Sequence, residues 1–151
     1  MNRPASDLLS QNYGLVAKDL FTPLLDVFGA ARSMFDGDVE KAVVLLEVVV
    51  RTARDPRLVS VDLQAVLNGT VVLNPSLTTN MRSIADSSGI PKETVRRKVV
   101  ALVNEGLIRR EGNNLSLSRS AAVTLTPIRE AILKLAARNY ETVSGLQNRE
   151  T

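Results

Sequence analysis

The stretch that most constrains this chain runs from Asn80 to Ser118, where helix punctuation, a turn glycine and strand-like alternation follow in close order. The Asn80 side chain can cap the free N–H groups of a following helical turn. Met81, Ile84 and Ala85 then fall at i, i+3 and i+4, so one face of that short helix packs inward. Gly89 stands where the chain must turn with positive φ. Ile90 can anchor the turn, and Pro91 suits the first position of a second helix. That helix is expected from about Pro91 to Glu105, with Gly106 as its stop. At about 100° per residue, Val95, Val99, Leu102 and Val103 form one buried stripe. Leu107 to Glu111 and Leu115 to Ser118 read as two strands joined by Gly112-Asn113-Asn114. Leu115 and Leu117 alternate with serines, as one buried face requires.

Helix, tight turn, longer helix and hairpin is the order of a winged helix-turn-helix. The expected fold class is therefore mainly α with a small β-hairpin wing and flanking helices. Arg97 lies nearly opposite the buried stripe of the second helix, with Glu93 and Asn104 close to the same line and Thr94 beside it. Arg96 and Lys98 flank that outer face, and Lys92 sits at the helix start. A helix of this kind lying in a DNA major groove would read base edges with its centre and touch phosphates with its flanks. On that reasoning Glu93, Thr94 and Arg97 are the base-reading candidates. Lys92, Arg96 and Lys98 are the phosphate candidates on the helix, and Arg109, Arg110 and Asn113 those of the hairpin.

The run Ile84-Ala85, Gly89-Ile-Pro-Lys-Glu-Thr-Val-Arg-Arg97, Leu102-Val-Asn-Glu-Gly-Leu-Ile-Arg-Arg110 and Gly112 resembles the winged helix-turn-helix of bacterial transcription regulators. The IclR-like and GntR-like groups are nearest in pattern. The resemblance covers about a quarter of the chain and implies sequence-specific DNA binding, usually by a dimer. No stretch reads as the large effector domain of those groups, so the resemblance carries no expectation of an attached small-molecule sensor.

Charge placement agrees. Between Asn80 and Gly112 there are seven basic residues against four acidic ones, an excess equal to the net +3 of the whole chain. The rest of the chain is balanced, so the motif carries the entire excess, as a polyanion binder would. A solvated helix face with mixed charges is the plain alternative. The chain has no cysteine and no histidine, which excludes disulfides, thiolate nucleophiles, Cys/His zinc sites and His-based acid–base catalysis. Ser83, Ser87 and Ser88 have no lysine or motif context beyond the turn, and no phosphate-loop pattern occurs. An enzyme is not expected, nor a cofactor or metal. No signal-peptide pattern opens the chain and no apolar run reaches membrane-spanning length, so a cytoplasmic bacterial protein is expected.

Outside the motif, residues 1 to about 14 read as loose. Thr22-Pro23 reads as N-cap and first residue of a helix ending near Asp36-Gly37. Asp38 can cap a helix from Val39 to about Arg54, stopped by Asp55-Pro56. Its core, Ala42 to Val50, is apolar almost all round and needs cover on most sides, from a partner subunit or from within the monomer. Val61 to Leu67 is a candidate short helix closed by Asn68-Gly69, Thr70 to Leu73 a candidate strand pairing with the wing, and Asn74-Pro75-Ser76 a turn. Either 39–54 or 61–67 could supply the first helix of the winged unit. Arg119 to Leu125 reads as a connector with strand character. Thr126-Pro127 opens a last helix to about Ser144-Gly145, with the final residues frayed. The expected organisation is 1–56 as a helical packing and dimerisation segment, 57–118 as the winged core, and 119–151 as a C-terminal helix. A homodimer is expected through the apolar helices of about 23–54, and 127–144 is a second candidate seam. The runner-up function is a winged-helix module that docks proteins and binds no specific DNA.

Overall fold

The computed structural model describes residues 3–71 and 77–150. Over these the chain is mainly helical, with one two-stranded antiparallel hairpin. In chain order the helices are α1 (Ala5–Gln11), α2 (Tyr13–Met34), α3 (Val39–Ala53), α4 (Leu63–Leu67), α5 (Met81–Ser88), α6 (Lys92–Asn104), α7 (Ala121–Thr124) and α8 (Thr126–Glu150). A 3-10 turn, Pro56–Ser60, separates α3 from α4, and strands β1 (Ile108–Glu111) and β2 (Asn114–Leu117) lie between α6 and α7. The chain divides into two compact units, 1–34 with 127–151, and 35–126.

The second unit holds the motif. Asn80 caps α5 by accepting from the Ser83 N–H at 2.9 Å, and Gly89 ends it with φ of 74°. Pro91 precedes the first turn of α6, and Gly106 follows its C-cap with φ of 75°. Val95, Val99 and Leu102 are the buried line of α6, as the periodicity requires. The hairpin closes through Gly112-Asn113, with Glu111 opposite Asn114 and Ile108 opposite Leu117. β2 is also paired on its far side: Leu115 and Thr79 exchange both backbone hydrogen bonds, at 2.8 and 2.9 Å. The strand partner of the hairpin is thus the residue just before α5. Val72 and Leu73, in the stretch expected to pair there, and the turn Asn74-Pro75-Ser76 lie outside the described residues.

Helix α3 completes this unit. Asp38 caps it through the Lys41 N–H, and Asp55 caps the following 3-10 turn. Ala42, Val44, Leu45 and Val48 are buried, with α5, α6 and β2 packed against the helix. The chain itself therefore covers α3. Of the two candidate segments, 39–54 and 61–67, it is the first, as α3, that packs on both α5 and α6. The short α4 forms as expected, capped by Asp62 and closed at Asn68.

Several expectations are corrected. Residues 5–11 are helical rather than loose, and Leu8 is buried with Val16 and Leu146. Thr22-Pro23 does not start a helix. Pro23 lies inside α2 and is buried, and the Thr22 hydroxyl donates back to the Lys18 carbonyl at 2.7 Å. Burying the ring offsets the hydrogen bond that an internal proline removes. Residues 121–124 form the single turn α7 rather than a strand, with Ala121 and Leu125 buried. Helix α8 runs through Gly145 to Glu150.

Candidate nucleic-acid interface

The outer face of α6 is built from what its buried line leaves over. Lys92, Glu93, Arg96 and Arg97 are exposed, Thr94 is half-buried, and Lys98 is turned toward the protein. These cations differ sharply in what they touch. Arg96 donates to Glu93 through Nε, at 3.1 and 3.0 Å to its two carboxylate oxygens, and through Nη2 at 2.6 Å. That hydrogen bond outweighs the opposing effect of desolvation and, helped by the charges of Arg96 and then Arg97, holds the Glu93 carboxyl below its ordinary range. Glu93 thus pairs with Arg96 at i+3. The i+4 partner the spacing also allows, Arg97, makes no hydrogen bond or salt bridge among the described residues and points to solvent.

Lys98 is placed differently from the expectation of a free flank. Its ammonium donates to Asp38 at 2.8 Å and lies 4.0 Å from Glu40, leaving the side chain 23% exposed. It pins α6 to the N-terminus of α3. Burial raises the Asp38 carboxyl, but the Lys98 hydrogen bond, the Lys41 N–H and the charges of both lysines outweigh it, and the group sits below its usual range. A second clamp joins Lys41 to Glu105 at the other end of α6.

On the hairpin, Arg109 pairs with Glu111 at 3.1 Å, and Arg110 donates from Nε to the Gly112 carbonyl at 3.0 Å. Arg110 and Asn113 line a groove with Lys92 from α6 and with Asn80, Arg82 and Asn114. Asn80, Arg82 and Asn114 were not among the sequence candidates. Their common signal is that each flanks an element end: the start of α5 or the hairpin turn. Val100 is the other addition. It is 40% exposed on the Arg97 side of α6, where a solvent-facing helix would carry a polar residue.

The structure therefore brings Lys92, Arg110 and Asn113 together with Arg82. It leaves Arg97 open at the centre of the outer face, ties Arg96 to Glu93 and Arg109 to Glu111, and turns Lys98 inward. No helix among the described residues is long and apolar enough to cross a membrane. Comparison of the chain with protein-family models, with curated proteins and with solved structures finds no match.

Proposed function

We propose that the chain is a sequence-specific regulator of transcription that binds double-stranded DNA through a winged helix-turn-helix. In this reading α6 enters the major groove and the β1–β2 hairpin is the wing on the backbone. The observation that carries the reading is the contrast among the basic side chains. Arg96 and Arg109 are occupied by neighbouring carboxylates, while Arg97 stands exposed, opposite the buried Val95–Val99–Leu102 line. An exposed guanidinium in mid-helix suits bidentate donation to the N7 and O6 of guanine. The groove of Asn80, Arg82, Lys92, Arg110 and Asn113 offers three cations and amide donors to a phosphate of the same strand, which fixes register without reading sequence. Asn80, Arg82, Lys92 and Arg110 come from three separate segments, so the seat exists only in the folded unit.

Arg97→Ala is expected to cost about 1–3 kcal/mol on a preferred duplex and to relax the choice of base at one position. Anisotropy titrations against a selected and a scrambled duplex measure both effects. Equal loss on the two duplexes would remove Arg97 as a reader. Exposed Val100 keeps the protein-docking reading in play. Beside Arg97 it can meet a thymine methyl or an apolar side chain of a partner protein. Under the docking reading, duplex binding shows no salt dependence and no preference.

A further inference from the structure

On α3, Glu47, Val50, Arg51 and Arg54 advance by threes and fours and so share one side of the helix. That side is turned away from the buried line of Val44, Leu45 and Val48. Together with Thr79 and, on α5, Ser83 and Ser87, these residues line a cleft of about 180 Å³. All of them lie in the unit 35–126, where α3 packs on α5.

The charges in this cleft do not neutralise one another. Glu47 and Arg51 are spaced i, i+4 with the acid first, the arrangement that favours an ion pair on a helix. No such pair forms: Arg51 instead donates from Nε to the Thr78 carbonyl at 2.9 Å. Glu47 is half-buried and Arg54 exposed, and neither side chain makes a hydrogen bond or salt bridge among the described residues. The Thr79 and Ser83 hydroxyls are likewise unengaged among the described residues. That of Ser87 donates to the Ile84 carbonyl at 3.3 Å and keeps its lone pairs for a donor. Val50, 53% exposed, supplies an apolar wall.

A ligand for such a cleft has to carry both signs of charge. A simple anion would meet the carboxylate of Glu47, and a simple cation the guanidinium groups of Arg51 and Arg54; like charges at that range repel. Along α3, Glu47 and Arg51 stand about 6 Å apart and Arg54 about 4.5 Å further on, so the two charges of the ligand are close together. The volume is below the roughly 300–1,000 Å³ of sites for drug-sized molecules. At about 30 Å³ per water it has room for roughly six waters, hence for a solute of about six to nine non-hydrogen atoms. We infer that the cleft binds a small zwitterion of the α-amino acid class. Its ammonium is held by Glu47, its carboxylate by Arg54 and the Nη groups of Arg51, and its short side chain rests on Val50. The hydroxyls of Thr79 and Ser83 complete the polar contacts. This site goes beyond the DNA-binding reading and uses no side chain of that face, so the two stand or fall separately.

The test needs no DNA. Glycine, alanine, serine, threonine and valine are titrated into the full chain by isothermal calorimetry, and at least one is expected to bind with a submillimolar dissociation constant. The tightest is then compared with its own amine and carboxylic acid analogues, each lacking the other charge. Both analogues are expected to bind about tenfold more weakly, as the loss of one charge-assisted hydrogen bond implies. Glu47→Gln and Arg54→Gln keep the side-chain length outside the core. Each is expected to weaken the amino acid by about the same factor, with helical circular dichroism retained. Glu47→Gln is also expected to bind the carboxylic acid analogue several-fold more tightly than the native chain does, because the repelling carboxylate is gone. In nitrogen–proton NMR spectra the amides of Thr79, Ser83 and Ser87 are expected to shift during the titration. No binding of any of the five at millimolar concentration, an analogue as tight as the amino acid, unchanged affinity in both variants, or shifts confined to other parts of the chain would each overturn the inference.

Discussion

At the scale of single residues, the candidate interface is decided by which cations the protein keeps for itself. Glu93 holds Arg96, and this pair makes a clean test. Glu93→Gln is expected to release Arg96 toward phosphate, raising affinity for all duplexes alike and steepening the salt dependence by about one unit. A change in preferred sequence instead would make Glu93 a base reader. Lys98 is expected to behave in the opposite way. Because it is bound to Asp38, Lys98→Ala should leave the salt slope unchanged and lower stability by up to about 1 kcal/mol, read from urea midpoints. The choice between Arg96 and Arg97 as partner of Glu93 was not legible in the sequence, since both spacings are open on a helix. The Lys98–Asp38 contact spans sixty residues, and no periodicity reports on it. Arg97 was legible because only its angle from Val95, Val99 and Leu102 mattered.

At the scale of elements, caps and stops were the readable part. Asn80, Gly89, Gly106 and Asp38 end or begin helices where local chemistry says they should. Gly89 offers a test of that logic. A Cβ added there would meet nothing within 4 Å, so Gly89→Ala carries only the cost of a positive φ, about 1–2 kcal/mol, measurable as a lowered unfolding midpoint. What misled was punctuation overridden by packing. Thr22-Pro23 has the residues of a helix start, yet the buried ring of Pro23 lets α2 run through it. Similarly, the polar start of the chain hides a helix whose single buried leucine, Leu8, gives no periodic signal. The groove at the start of α5 was invisible because its residues come from three segments that only the fold assembles.

The α3–α6 clamp also has a pH signature at this scale. The folded Asp38 carboxyl lies below its ordinary value of 3.8, so its contribution is complete above that value. It is lost as pH falls through the lower, folded value. Asp55 and Glu93 shift in the same direction, so the comparison is between native chain and Asp38→Asn. The difference in their urea midpoints, present at neutral pH, is expected to shrink once pH falls below 3.8. An unchanged difference would show that the clamp carries no charge-dependent stability.

For the whole molecule, the chain divides its work between two compact units. The unit of residues 35–126 carries the cationic face, and the unit of 1–34 with 127–151 carries the apolar one. The sequence disclosed the first through its concentrated charge. It disclosed the second only as apolar helices, since whether such a helix is covered by its own chain depends on packing: α3 is covered, and the Phe21–Phe28 line of α2 is not. The central claim is that α6 reads DNA sequence through Arg97. Selection of bound duplexes from a random pool at near-physiological salt, run in parallel with native and Arg97→Ala protein, tests it most directly. The account predicts a short enriched consensus for the native chain, with one guanine whose preference disappears in Arg97→Ala. An unenriched pool, or the same consensus from both proteins, would contradict it.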